Sequence, residues 1–386
     1  MLNNQKDLFN LPDDITYLNC SYMSPMLKSV AEVGVRALYG KEDPTSVKPE
    51  DFFKNISALR AEFAKLINAK SGNDCAIVPS VSYALANVAK NLKAGHGNNI
   101  VIADEQFPSN VYAWKELERE KGIELKYVSA PNVKEGRGKL WNERILETID
   151  SNTKMVATGH VHWADGTKFN LSAIRERADE VGAILVIDGT QSIGALPFDV
   201  QKFRPDAVVA SGYKWLMGPY SSGVAYFGEY FRDGRPIENN WMNRLNSEDF
   251  RNLINYQDEY QPGAIRYEVG ESANFILTPM LTRAIQQINE WKPENIQAYC
   301  KNLTAPFLNE LQNIGIIVED EAYRAEHLLG LRLPEHMVME DVKKRFDAER
   351  IFVSIRGNSI RVSPHLYNGK ADLRRLTECF KVSRPA

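Results

Sequence analysis

The sequence predicts an α/β fold: a large domain with a mostly parallel seven-stranded sheet covered by helices, followed by a smaller C-terminal α+β domain. Two observations carry this. Short β-rich runs alternate with helical patterns through the first long region, and that rhythm breaks around "YQPGAIRYEVGESANF", after which helices take over.

"DCAIVPS", "NNIVIADE", "IELKYVSA", "TKMVATGHVHW", "GAILVIDG", "DAVVASG" and "GVAYFG" are short and rich in β-branched residues. Several are apolar almost throughout, the pattern of strands buried on both faces and therefore of a parallel sheet. Between them lie helical patterns such as "SYALANVAKNL", "VYAWKELEREKG" and "LSAIRERADEVG". Past a boundary near residue 260, "TPMLTRAIQQINEW" reads as a helix and "ERIFVSIRGNSIRVSPHLYN" as a strand pair. The large domain is thus 1–260, with residues 1–25 as a leading segment, and the small domain 261–386. No repeat or low-complexity linker separates them, so the two parts are expected to pack together.

Composition narrows the function classes. The 386 residues carry 47 basic and 50 acidic side chains, a net charge of -3, with no Lys/Arg block. Such a balance sets up no field that would gather nucleic acid or an anionic membrane surface. Cys20, Cys75, Cys300 and Cys379 are far apart and form no C-x-x-C pair, which fits buried thiols in a reducing compartment. "MLNNQKDLFNLPDDI" lacks the basic and apolar regions of a signal peptide, and no apolar run approaches a membrane span. A cytoplasmic location is expected.

In open α/β sheets, ligands collect beyond the carboxyl ends of the strands. Here those positions hold reactive side chains. Past "AILVI" comes Asp188, then Gln191; past "AVVA" come Ser211, Gly212, Tyr213 and Lys214; past "AIVP" come Ser80, Val81, Ser82 and Tyr83 at a helix start. Past "NIVIADE" come Gln106, Phe107, Pro108 and Ser109, and past "MVATG" come His160, Val161, His162 and Trp163. Singly, each has a plain structural reading: an Asp or Ser at a helix start is a cap, and a Lys beside aromatic rings snorkels. Together they match what pyridoxal phosphate asks of a protein. Lys214 supplies an amine for the Schiff base, Asp188 a carboxylate for the pyridine nitrogen, and Ser82 a helix N-terminus for the phosphate.

The stretches "VIDGTQSIGALPFDV" and "SGYKWLMGP" resemble the core of the class V aminotransferase family of fold type I pyridoxal-phosphate enzymes, which includes cysteine desulfurases, kynureninases and isopenicillin N epimerase-like proteins. The resemblance runs from "YLNCSYMSPM" to "IRVSPHLYN". It implies that Lys214 is the Schiff-base lysine, that Asp188 pairs with the pyridine nitrogen, and that Gln191 hydrogen-bonds the phenolic oxygen of the cofactor. Val81 and Ser82 match the phosphate-binding turn, Tyr213 adds a phenol to the phosphate, and His162 and Trp163 lie beside the ring. Arg361 in "IRVSPHLYN" corresponds to the arginine that holds the substrate carboxylate, and Tyr22 in "NCSYMSP" to a pocket-lining segment. The resemblance also implies a homodimer, with "NNWMNR" (239–244) and "RYEVGESANF" (266–275) reaching across subunits.

Two departures from the pattern narrow the chemistry. "EQFPSN" offers Phe107 where many relatives stack a His on the cofactor, and Phe107 cannot carry a proton, which disfavours two-base epimerisation. "FVSIRGNSIRVSP" is short and lacks the nucleophilic Cys of desulfurases, which argues against a protein persulfide. Two further signals are minor. His160 and His162 with Asp165 lack a further ligand of suitable spacing for a metal, and "GHG" at 95–97 precedes a strand, where a dinucleotide fingerprint would follow one. The expected protein is a pyridoxal-phosphate aminotransferase acting on an amino acid with a keto acid partner. The alternatives are a kynureninase-like or β-eliminating lyase and, from a different class, a scaffold that binds the cofactor or a partner without turnover.

Overall fold

The computed structural model describes residues 2–381. Seven strands form its central sheet: β1 (Cys75–Val78), β2 (Asn99–Ala103), β3 (Glu124–Val128), β4 (Thr153–Gly159), β5 (Ile184–Asp188), β6 (Ala207–Ser211) and β7 (Gly223–Phe227). These are the seven runs expected from the sequence. Their order across the sheet is β1-β7-β6-β5-β4-β2-β3. The pairings β2/β3, β2/β4, β4/β5 and β5/β6 are parallel, and β7 runs antiparallel to both of its neighbours, β6 and β1. Six strands therefore point the same way and end at one edge.

Every residue of β1, β2, β5 and β6 is buried, as a sheet covered on both faces requires. Alternate side chains enter different cores. Ile184 and Val186 join a cluster with α3 (Val81–Asn91) and α4 (Ser109–Lys121). Leu185 and Ile187 join the opposite cluster with α2 (Asp51–Leu66), α5 (Arg137–Thr148), α6 (Leu171–Val181) and α7 (Leu277–Trp291). Helix boundaries follow local chemistry: the Asn170 side chain accepts the Ala173 N–H to start α6, and Gly182, left-handed at φ +70°, ends it. Helix α1 (Lys28–Gly40) lies against α7, as does α2.

The expected C-terminal strand pair is a hairpin, β10 (Ser354–Arg356) and β11 (Ser359–Val362), within a four-stranded antiparallel sheet. β8 (Ile317–Val318) and β9 (Leu329–Arg332) complete it in the order β10-β11-β9-β8. A third core beneath it takes residues from α8 (Pro293–Asn313), α9 (Met339–Ala348) and α10 (Lys370–Glu378). The leading segment ties the two sheets together. Thr16–Tyr17 pairs in parallel with Ile351–Phe352, and the Ser24 N–H then donates to the Tyr213 carbonyl at 3.1 Å. Among the described residues no helix is long and apolar enough to cross a membrane.

Candidate active site

The shared carboxyl edge of the strands opens into a cavity of about 310 Å³. Each neighbouring strand contributes to its wall: Ser80, Val81 and Ser82 after β1, Phe107 and Ser109 after β2, and Trp163 after β4. Asp188, Thr190 and Gln191 follow from β5, and Ser211, Tyr213 and Lys214 from β6.

Lys214 is aimed by the turn between β6 and β7. The Gly212 N–H donates to the Ser222 carbonyl at 2.8 Å, and a Cβ at Gly212 would lie 2.4 Å from that oxygen, so only glycine allows the closure. Trp215, fully buried, anchors the other side of the lysine. Lys214 is 7% exposed, its Nζ 5.3 Å from the centroid of the Phe107 ring and 5.5 Å from that of Tyr213. Burial lowers its pKa to about 8, against the pull of Asp188 and with the help of Arg361 and Arg356. Near neutral pH the amine is thus closer to its nucleophilic form than an exposed lysine is.

Asp188 ends β5 at 9% exposure and accepts the Thr190 N–H at 3.0 Å. Burial raises its pKa, while the Thr190 hydrogen bonds and Lys214 act in the opposite direction. It makes no ion pair among the described residues, so a buried carboxylate is left with acceptor capacity to spare. Gln191 beside it donates from its amide nitrogen to the Ser21 carbonyl at 3.1 Å and accepts the Trp215 indole N–H at 2.9 Å. At the other end of the cavity, α3 begins with its Ser80 Oγ accepting the Tyr83 N–H at 3.2 Å and lying 2.9 Å from Ser82 Oγ. An N-terminus of this kind favours an anion. The buried Ser211 hydroxyl on the cavity wall has no hydrogen-bond partner among the described residues.

Pyridoxal phosphate fits this donor set. Its phosphate suits the α3 N-terminus, a protonated pyridine nitrogen suits Asp188, its aldehyde suits Lys214, and the Ser211 hydroxyl, buried without a partner among the described residues, is a group that a ligand would satisfy.

Eight of the expected site residues share this cavity: Val81, Ser82, Phe107, Trp163, Asp188, Gln191, Tyr213 and Lys214. Three stand elsewhere. His162, expected beside the cofactor ring, is buried and is not among the residues that line the cavity. Its ring nitrogens meet Asp165 Oδ1 at 3.0 Å and the Glu105 carbonyl at 3.1 Å, and its ring packs against Trp141. It fixes the loop whose carbonyl at Glu105 also receives the Trp163 indole N–H at 2.7 Å. His160 packs against Phe198 and Phe203. Tyr22, expected to line the pocket, is exposed and takes no part in the cavity wall.

Arg361 is the third, set on β11 behind Trp163. It is 1% exposed, donates from Nη1 to the Trp163 carbonyl at 2.6 Å, and leaves Nε unpartnered. Burial pulls its pKa down to about 9, with Arg356 adding to the effect, and no carboxylate neutralises it among the described residues. The β10–β11 turn is only Gly357 and Asn358, with Gly357 left-handed at φ +54°. All four cysteines are buried and free, and none lines the cavity.

Sequence reading missed Thr190, Tyr220, Ser221 and Ser222, which also line the cavity. The available signal was "GPYSSG", a Gly-Pro turn dense in hydroxyls that folds back before β7.

Comparison with known proteins extends these observations. The chain is 28% identical over 330 residues to an uncharacterized aminotransferase, YcbU, of Bacillus subtilis, covering 82% of this chain and 80% of that protein. A cysteine desulfurase from Thermococcus onnurineus, solved in its apo form, superposes with a TM-score of 0.82 at 21% identity, covering 98% of this chain and 97% of that one. A C-DES mutant with glycine covalently linked to its PLP cofactor superposes with a TM-score of 0.86 at 17% identity, covering 97% and 98%. These two likenesses establish the fold. The family model for aminotransferase class-V matches residues 43–376. With that match over most of its length, and with a cavity whose donors suit the cofactor, the chain belongs to the class-V aminotransferase family as a pyridoxal-phosphate-dependent enzyme acting on an amino acid.

Proposed function

We propose that the protein is an aminotransferase, moving the amino group of an amino acid to a keto acid. One observation carries this reading. Lys214 is the only Lys, Arg or His in the cavity wall among the described residues, and the aromatic pair Phe107 and Trp163 stands beside it, ring centroids 5.4 Å apart in a T-shaped contact. Neither aromatic ring carries a proton near neutral pH, so a proton shift at the substrate falls to one base.

Pyridoxal phosphate, when bound, supplies an electron sink for a bond breaking at the substrate α-carbon. The protein's residues do the rest. Asp188 would keep the pyridine nitrogen protonated, the Gln191 amide would donate to the phenolic oxygen, and the α3 N-terminus with Ser82 and Tyr213 would hold the phosphate. Phe107 would cover one face of the ring and exclude water. Lys214 Nζ, buried in the cavity wall, would be the group that accepts and redelivers a proton at the substrate. Arg361, a buried cation behind Trp163 with no counter-ion among the described residues, would be the group that draws the substrate carboxylate.

Mixing the loaded enzyme with a panel of amino acids, in the absence of any keto acid, tests this. The visible cofactor band should convert to that of the amine form, with one keto acid released per site. Sustained release of ammonia or a side-chain fragment without an acceptor replaces transamination with a lyase activity. A band that no amino acid alters points to a scaffold without turnover.

A further inference from the structure

Arg361 has a neighbour of like charge. In the β10–β11 hairpin, Ser354 pairs with Arg361 and Arg356 with Ser359. Side chains alternate along a strand, so Ser354, Arg356 and Arg361 lie on one face of the hairpin. The two arginines are diagonal neighbours there, with backbones about 7–8 Å apart. Both converge on Trp163: Arg361 on its carbonyl, and Arg356 with its guanidinium carbon 5.5 Å from the centroid of its ring. Trp163 is itself part of the cavity wall.

Like charges this close on one sheet face destabilise the fold unless something neutralises them. Nothing among the described residues does. Neither arginine forms an ion pair among the described residues, and the side-chain hydrogen bond that Arg356 donates goes to the Ile355 carbonyl at 2.8 Å. Their combined positive field reaches the lysine, since both depress the Lys214 pKa. The two-residue turn holds Arg356 close to the hairpin tip, where it is part-exposed, while Arg361 is buried behind Trp163.

We propose that Arg356 is a second anion anchor and that the preferred substrate is an amino acid with a carboxylate at the end of its side chain as well as at its α-carbon. Arg361 takes the α-carboxylate, and Arg356, against the ring of the cavity-lining Trp163, takes the distal one. The inference rests on the functional reading above, because it assigns the side chain of the amino acid bound in that same site.

The holoenzyme is titrated with L-aspartate and L-glutamate and with their amides, L-asparagine and L-glutamine, reading dissociation constants from the visible band and from calorimetry. One of the acids should bind at least about tenfold more tightly than its amide, the order expected for a charge-assisted hydrogen bond. In Arg356→Gln that ratio should fall to near one, and Arg356→Lys should restore part of it. The unliganded band of both variants shows that they are folded and loaded. Acid and amide binding alike in the wild type, or a preference that survives Arg356→Gln, overturns the proposal while leaving the aminotransferase reading intact. If no amino acid perturbs the band, the functional reading fails and this inference fails with it.

Discussion

Trp215 donates its indole N–H to the side-chain oxygen of Gln191 at 2.9 Å, immediately beside the lysine that faces the cavity. The bond settles which end of the Gln191 amide is which. With its oxygen engaged, the nitrogen must donate, and one of its two hydrogens is spent on the Ser21 carbonyl. The other remains for a ligand. Trp215 is held in turn by His327, whose ring lies edge-on at 4.4 Å and whose Nε2 meets the Gln191 carbonyl at 2.8 Å.

Replacing Trp215 with Phe should therefore act twice. It strands the buried Gln191 oxygen, at a cost of about 1–3 kcal/mol for an unsatisfied polar group, with a further loss from the space vacated. It also frees the amide to rotate, which should shift the cofactor band. A melting curve and an absorbance spectrum measure the two effects separately. A destabilised variant with an unmoved band would deny Gln191 its role at the cofactor.

The lowered pKa of Lys214 makes a pH prediction. Above about 8 the amine is neutral and nucleophilic, and below it protonation removes the lone pair that must attack the cofactor aldehyde. Capture of pyridoxal phosphate by the apoprotein should accelerate as pH rises through about 8, well below the point at which an exposed lysine would respond. Lys214→Ala should lose the visible band, and borohydride reduction followed by peptide mapping should mark Lys214 alone. Label on a different lysine would refute the assignment.

Arg361 is predicted to matter to the substrate and not to the cofactor, because it lies behind Trp163 and outside the cavity wall. Arg361→Ala should weaken amino-acid binding by about 1.5–3 kcal/mol, the range for a hydrogen bond to a charged group, and leave the unliganded spectrum in place. Titration of the loaded variant measures the change. Unaltered affinity would discard the role.

The sheet was legible because its strands announce themselves: β5 and β6 are buried at every position, and an unbroken apolar run bounded by turns has few other readings. Lys214 and Asp188 were legible for the same reason, as charged residues placed where such runs stop. What the sequence hid was direction. Beyond Gly159 the chain leaves the regular ladder, so period-two reasoning cannot say that Trp163 turns toward the cavity while His162 turns into the core. β8 is two residues long and carries too little pattern to detect. Thr190 and Ser222 enter the wall through turns, whose geometry depends on the tertiary contacts that the strands make.

The last prediction concerns assembly, which the resemblance implies and the surface supports. Trp241 and Leu253 are part-exposed, and Ile254 and Tyr256 are 81% and 95% exposed, all within one stretch of loops and short turns. Scattered apolar side chains are ordinary, but four in one stretch suit a second protein surface. Tyr220 on the cavity wall and Tyr22 near it are exposed as well, and a second copy laid over them would close the mouth. We expect a homodimer, with a sedimentation mass near twice 43.7 kDa. The double change Ile254→Asp and Tyr256→Ser should shift it toward monomer and weaken cofactor retention on dilution, because an opened mouth readmits water to the ring and the phosphate. Wild-type protein that sediments as a monomer while remaining fully loaded and active would show that one chain builds the whole site.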